Sequence, residues 1–133
     1  MKFSLLVISL LFFHTVFSQS SQSNITQDSL YEFKAKLTDN SLLTPDCGII
    51  AFAVAKKFEI IESKSNDLTN KYVTIIIQCP ELYGINFFVN RKIYSIKAGL
   101  NNHASFGWAI FPSDYAKKKL PVFWAREINL LKK

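Results

Sequence analysis

The chain has 133 residues and a formal net charge of +6 at pH 7, and 49% of its residues are hydrophobic. That length suits one domain with room for a hydrophobic core. The basic residues are spread along the chain in small groups, a pattern typical of a solubilising surface rather than of a binding patch. The four glycines stand apart from one another, which excludes a glycine-rich phosphate loop.

The N-terminus has the pattern of a secretory signal peptide. Lys2 precedes an apolar run from residue 3 to residue 17, and the small residue Ser18 follows it, so we place cleavage after Ser18. A membrane anchor is the alternative, but the run is shorter than the ~20 residues that a spanning helix needs. No second apolar span follows, so we expect a secreted or periplasmic protein without a membrane span after cleavage.

Residues 19 to 29 are mostly Ser, Gln, Asn and Thr, a composition that cannot bury enough apolar surface to fold alone. We interpret them as a flexible leader, followed by a single β-rich domain from residue 30 to residue 133. Asn24 begins an Asn-Ile-Thr glycosylation sequon, which has meaning only in a eukaryotic host.

The first strand is predicted from residue 31 to residue 37, where apolar and charged residues alternate with period 2. A loop from residue 39 to residue 45 follows it. Two longer apolar runs, from residue 49 to 62 and from 71 to 78, lie between the only two cysteines, Cys47 and Cys79. If these runs pair as an antiparallel hairpin, the start of the first lies beside the end of the second. We therefore predict a disulfide between Cys47 and Cys79, since oxidised pairs are favoured outside the cell.

The first of these runs is longer than the usual strand of ~5 to 6 residues, so we expect it to bend near Lys56-Lys57. A helix from residue 51 to residue 57 is the alternative. Cys47 lies off the bulkier, even-numbered face of the run, which extends from Ile50 to Ile60, and a bulge at Gly48 is one way to absorb the mismatch. The second run is apolar on both faces, which is typical of a central strand.

Three further strands are predicted, over residues 91 to 98, 105 to 110 and 122 to 131. In the last of them Val122, Trp124, Ile128 and Leu130 are expected on one face. A short helix from residue 114 to residue 120, capped by Ser113 and ended by Pro121, precedes it. The result is an all-β or β-rich fold, a small barrel of about five to six strands with one short helix.

Few residues offer catalytic chemistry. His103 is the only histidine after cleavage, so a histidine-based zinc site is excluded, and a Cys/His nucleophile would need one thiol to stay reduced. Asp46 and Glu81 flank the predicted disulfide, and paired carboxylates can bind a cation or transfer protons, although solvated turn positions explain them as well. We expect no catalytic residues, no metal and no cofactor.

A binding function has more support. Four aromatic residues near the hairpin have basic neighbours, a mixture of side chains that suits stacking on sugar rings or bases. The aromatic residues are Tyr72, Tyr83, Phe87 and Phe88, and the basic residues are Lys71, Arg91 and Lys92. Tyr83, Phe87, Phe88 and Arg91 are the candidate binding residues. Core packing is the alternative for the aromatic rings, and the export signal argues against nucleic acid.

The order of four segments resembles the central part of netrin-like domains. The segments are Phe58-Glu59-Ile60-Ile61, Tyr72-Val73-Thr74-Ile75, Cys79, and Lys92-Ile93-Tyr94-Ser95-Ile96. With Cys-Gly before a long strand and Cys-Pro-Glu after the next, the chain is also similar to small exported proteins of unknown function from Bacteroidetes. The resemblance covers residues 47 to 98 and implies an OB-type barrel. Metalloprotease inhibitors of the netrin-like family act through an N-terminal cysteine, which this chain lacks at Gln19 or Ser20.

The sequence thus favours an exported, non-catalytic domain that binds a protein or glycan at the cell envelope or outside the cell. The alternative is an inhibitor of a secreted hydrolase. A third hypothesis is a small hydrolase or cation-dependent enzyme that uses Asp46 and Glu81.

Overall fold

The structure is a computed structural model that describes residues 29 to 40 and 46 to 132. The predicted signal peptide, the Asn24 sequon and the leader up to residue 28 lie outside the described residues. Within the described ranges, no helix is long and apolar enough to cross a membrane.

The described chain forms strands joined by loops and three short 3₁₀ turns, at Asn66–Leu68, Pro80–Tyr83 and Tyr115–Lys118. The strands are β1 (Tyr31–Leu37), β2 (Phe52–Ser63), β3 (Tyr72–Gln78), β4 (Ile93–Gly99), β5 (Ala109–Phe111) and β6 (Val122–Leu130).

Five of the strands close into a barrel. The hydrogen-bonded order is β1-β4-β6-β3-β2, and a further pairing between β1 and β2 closes the ring. Every pair in the ring is antiparallel except β3–β6, which is parallel. The short β5 extends the sheet by pairing parallel to the start of β2. This order is that of an OB-type barrel, so the predicted small β-barrel is confirmed.

The inner face of β1 follows the predicted alternation, because Phe33, Ala35 and Leu37 are all buried. Its charged residues face outwards and form ion pairs with neighbouring strands. These cross-strand pairs are Lys34–Glu62, Lys36–Glu59 and Lys64–Glu32, with nitrogen–oxygen distances of 2.8, 2.6 and 2.6 Å. The barrel interior is filled by aliphatic and aromatic side chains from all five strands, including Val54, Phe58, Ile60, Val73, Ile75, Ile77, Tyr94, Ile96 and Phe123.

The long strand β2 is confirmed as a strand, with two differences in detail. It begins at Phe52, so Ile50, which was expected on the buried face, is 55% exposed. The ladder to β3 runs without interruption through Lys56-Lys57, and the irregularity lies at Ile61, where β2 has one residue more than β1. Lys56 follows the parity of the barrel interior and is buried.

The prediction of which β6 side chains share a face is wrong for the first half of the strand. Phe123 and Ala125 are buried in the barrel, whereas Trp124 contacts a second apolar cluster outside it. The reason is a bulge at Arg126, because Lys97 pairs with Glu127 whereas Ala98 pairs with Ala125. One inserted residue reverses the alternation of side chains, so the even-numbered Ile128 faces inwards after the bulge.

The region between β4 and β6 differs most from expectation. The strand predicted over residues 105 to 110 is reduced to β5, and Phe106 is 53% exposed. The predicted helix is a single 3₁₀ turn at Tyr115–Lys118, and its N-cap is Asp114 rather than Ser113. The turn ends at Lys119, whose left-handed backbone with φ of 52° cannot continue a helix.

Candidate functional site

The predicted disulfide joins Cys47 to Cys79, whose Cα atoms are 5.3 Å apart. Cys79 lies one residue beyond β3, and its N–H donates a 3.1 Å hydrogen bond to the carbonyl of Phe52 at the start of β2. Cys47 precedes β2 by five residues and is outside the ladder, so no bulge in the strand is needed to place it. The bond therefore fixes the loop before β2 to the end of β3.

The two carboxylates near this bond have different surroundings. Glu81 accepts a 2.8 Å hydrogen bond from the N–H of Cys47, whereas Asp46 is exposed. Among the described residues, the one group of three potential metal ligands consists of Glu81 and the two cysteines. Both sulfurs are used in the disulfide, so they cannot act as thiolate ligands, and a single carboxylate remains. The geometry gives Glu81 a role in holding the loop of Cys47.

The aromatic residues proposed for binding form a cluster at one end of the barrel. Tyr83, Phe87 and Phe88 contact one another with ring centroids 4.8 to 5.2 Å apart, and all three are half-buried against the barrel interior. Phe87 and Phe88 also contact the ring of Tyr94. This packing gives the rings a structural role, and their part in binding stays a prediction.

Tyr94 ties this aromatic cluster to the loop above it. Its hydroxyl donates a 2.8 Å hydrogen bond to the carbonyl of Phe87 and accepts a 2.8 Å bond from the N–H of Val89. Burial raises the pKa of Tyr94, and the bond from Val89 offsets only part of that effect. Burial likewise raises the pKa of Tyr83, with a further contribution from the charge of Glu127.

The outer face of β2 and β3 is covered by the chain itself. Ala53, Ala55 and Ile76 on this face are buried beneath residues from β5, β6 and the intervening loop. The covering side chains are Trp108, Ile110, Tyr115, Val122 and Trp124. In OB-type barrels this face is a common site for ligands. Here much of it serves as a second core, so Ala53, Ala55 and Ile76 are not exposed to a ligand.

A cleft of about 630 Å³ lies on the other side of the barrel, a volume typical of small-molecule sites. Part of its lining is aliphatic, and we call this part the floor: Ile61, Ile93, Leu130 and Leu131. Four cationic side chains stand around it: Lys34, Arg91, Lys92 and Lys132. We call this site the basic cleft.

Three of the four cations in the basic cleft are available to a ligand. Lys34 is paired with Glu62 at 2.8 Å. The side chains of Arg91, Lys92 and Lys132 form no hydrogen bond or ion pair with any residue that the structure describes. Arg91 has a left-handed backbone with φ of 66°, and its N–H donates a 2.8 Å bond to the carbonyl of Leu37. The turn before β4 is thus fixed to the end of β1.

Of the four candidate binding residues, Arg91 lines the basic cleft together with its predicted neighbour Lys92, whereas Tyr83, Phe87 and Phe88 do not. One signal in the sequence could have located the cleft. Basic residues stand just before β4 and just after β6, and these strands pair antiparallel with Tyr94 opposite Leu130. Continuing this register places Lys92 beside Lys132, and the N–H of Leu131 donates to the carbonyl of Ile93. Two groups that look scattered in the sequence become one patch.

Comparisons of this chain with protein-family models, with curated proteins and with solved structures find no match. Function is therefore inferred from the side chains themselves.

Proposed function

We propose that the chain is an exported, non-catalytic domain that binds an anionic ligand of the cell envelope or the surrounding medium in the basic cleft. One observation carries the proposal. Arg91, Lys92 and Lys132 stand together over an apolar floor, and none of them is neutralised by a described residue. The disulfide between Cys47 and Cys79 supports the export that the signal peptide predicts.

The electrostatics of the cleft favour an anion. Lysine and arginine form hydrogen bonds with carboxylate and phosphate groups that are about twice as strong as bonds between neutral groups. Arg91 adds a planar fork that can bind two oxygens of one ligand, and its backbone is held in place. Partial enclosure of the cleft reduces screening by water and salt, so these charges act more strongly than isolated surface lysines.

The proposal is tested by titrating the mature chain with two anionic probes, octyl phosphate and dextran sulfate, and following amide shifts by NMR. We expect shifts at residues 91 to 93 and 131 to 132, with binding that weakens as salt is added. The variant Arg91→Asn/Lys92→Gln should lose at least tenfold in affinity. Asparagine is chosen at residue 91 because it tolerates the left-handed backbone.

The matched control is Lys117→Gln/Lys118→Gln, which removes the same charge from an exposed turn outside the cleft. It should bind both probes nearly as well as the natural chain. Equal losses in the two double variants would show a response to net charge alone, and no shift at the cleft with either probe would refute the proposal.

Inhibition of a secreted hydrolase is a second candidate, supported by the surface beside the disulfide. Ile49, Leu82 and Ile85 are 108%, 81% and 96% exposed, and all three lie in segments adjoining the bonded cysteines. Aliphatic side chains on a loop that is covalently fixed suit insertion into the cleft of a partner. Assays of secreted hydrolases with the natural chain and with Leu82→Ser/Ile85→Ser test this; unchanged turnover with the natural chain would eliminate it.

A further inference from the structure

The aliphatic floor of the basic cleft limits the chemical class of the ligand more narrowly than the surrounding cations do. Ile93, Leu130 and Leu131 are half-buried side chains at the junction of β4 and β6, and Ile61 is 40% exposed at the bulge of β2. A small, fully hydrated anion would contact the cations at the rim and leave these aliphatic groups facing water. A ligand with an apolar part would cover them.

We infer that the ligand is a single-chain anionic amphiphile, with a phosphate or carboxylate head group and an unbranched alkyl chain. This inference rests on the proposed function, because it names the ligand class of the same cleft. The head group contacts Arg91, Lys92 and Lys132, and the alkyl chain lies along the aliphatic floor. A volume of about 630 Å³ is sufficient for one such molecule.

The arrangement of charge and apolar surface favours one bound molecule over a membrane surface. A protein that docks on a bilayer presents protruding apolar side chains that enter the lipid. In the basic cleft the order is reversed, because the aliphatic side chains of Ile93, Leu130 and Leu131 are half-buried whereas the cations Arg91, Lys92 and Lys132 are exposed. An alkyl chain therefore has to leave the bilayer or micelle and enter the cleft.

The bulge of β2 helps to form this floor. Ile61 is the extra residue between the pairs Lys34–Glu62 and Ala35–Ile60, so Ile61 and Glu62 both lie on the outer side of the barrel. The neighbouring Ile60 is fully buried in the barrel. Changes at Ile61 therefore alter the cleft without opening the barrel, which makes this residue suitable for a test.

The inference is tested with n-alkyl phosphates of four to twelve carbons, kept below the concentration at which micelles form, with inorganic phosphate for comparison. We expect affinity to rise about fourfold with each added methylene group until the floor is covered, since each buried methylene contributes roughly 0.8 kcal/mol. Inorganic phosphate should bind too weakly to detect. Ile61→Asn should weaken dodecyl phosphate at least fivefold and butyl phosphate by a smaller factor, because the shorter chain covers less of the floor.

Three outcomes would overturn the inference. Affinities independent of alkyl length would show a simple anion site, which leaves the proposed function intact. Equal binding of dodecyl phosphate and a neutral dodecyl glucoside would show an apolar site without charge recognition, which also refutes the proposed function. Binding to anionic vesicles without binding to any monomeric alkyl phosphate would show that the surface docks on membranes. The Lys117→Gln/Lys118→Gln variant serves as the control for charge in every arm.

Discussion

Removing the disulfide should lower the free energy of unfolding by about 3.7 kcal/mol at 25 °C, from the loop-closure entropy of a cross-link with a sequence separation of 32. The change is the double variant Cys47→Ala/Cys79→Ala. Its main effect falls on the unfolded chain, which gains freedom that the bond had removed. For a domain whose total stability is roughly 5 to 15 kcal/mol, this is a large share.

The measurement is urea unfolding, followed by the fluorescence of Trp108 and Trp124, with the slope of the transition fitted separately for each protein. A steeper slope is expected for the variant because its unfolded chain exposes more surface. Glu81→Gln is the matched control: it keeps the disulfide and changes only the bond to the Cys47 N–H, so a loss on the order of 1 kcal/mol is expected. A double-variant loss below about 1 kcal/mol would refute the loop-closure reasoning.

Three further predictions concern buried polar groups. Tyr94→Phe should cost about 1 to 3 kcal/mol in urea unfolding, because it leaves two backbone groups without their hydroxyl partner. Lys56→Met should stabilise the fold, since burial lowers the pKa of this lysine more than Asp39 raises it and methionine carries no charge to bury. Stability should fall as the pH rises above about 10, where the unfolded tyrosines ionise before the buried Tyr94 does.

Each of these predictions has a neighbouring control. Lys57→Met should cost about 0.5 to 1 kcal/mol, the opposite sign to Lys56→Met, because Lys57 lies 4.1 Å from the ring centroid of Tyr72. Tyr72→Phe should change stability little, since that residue is exposed. The loss of stability at high pH should be smaller in Tyr94→Phe than in the natural chain. An unchanged dependence of stability on pH would contradict the role given to Tyr94.

The sequence predicts the fold correctly where a single pattern, such as strand alternation or hairpin pairing, determines the structure. In β1 the alternation is regular, because the extra residue of the β1–β2 pairing lies in β2, so the buried face follows from the sequence. The disulfide was predictable because a hairpin of any reasonable register brings its two ends together, and Cys47 and Cys79 flank the hairpin. Neither inference depends on details of packing.

The fold was not predictable where an extra residue changes the register. The residues around Arg126 do not predict a bulge. The extra residue at Arg126 nevertheless determines that Phe123 faces the barrel interior and that Trp124 faces outwards. Packing favours the bulge, because β6 contributes side chains both to the barrel interior and to the second core outside it. Trp108 and Tyr115 were similarly assigned to regular elements, although both lie over the outer face of β2 and β3.

The basic cleft was missed for a different reason. Its lining comes from β1, β2, β4, β6 and the segments at their ends, and no stretch of the sequence contains more than a part of it. Arg91 was singled out for its aromatic neighbours, which pack on the barrel instead. The antiparallel pairing of β4 and β6 brings residues 91 to 92 close to residues 131 to 132, and this pairing has to be known before the cleft can be recognised.

The second core outside the barrel has a consequence for how the protein opens. β5 is held to β2 by a ladder of only three residue pairs, whereas the barrel strands are held on both sides. Because the covering layer buries none of the interior side chains of the barrel, it can detach while the barrel remains closed. Amide hydrogen exchange should then separate two classes of protons, with Ala109 exchanging through local release and Ile75 only through global unfolding.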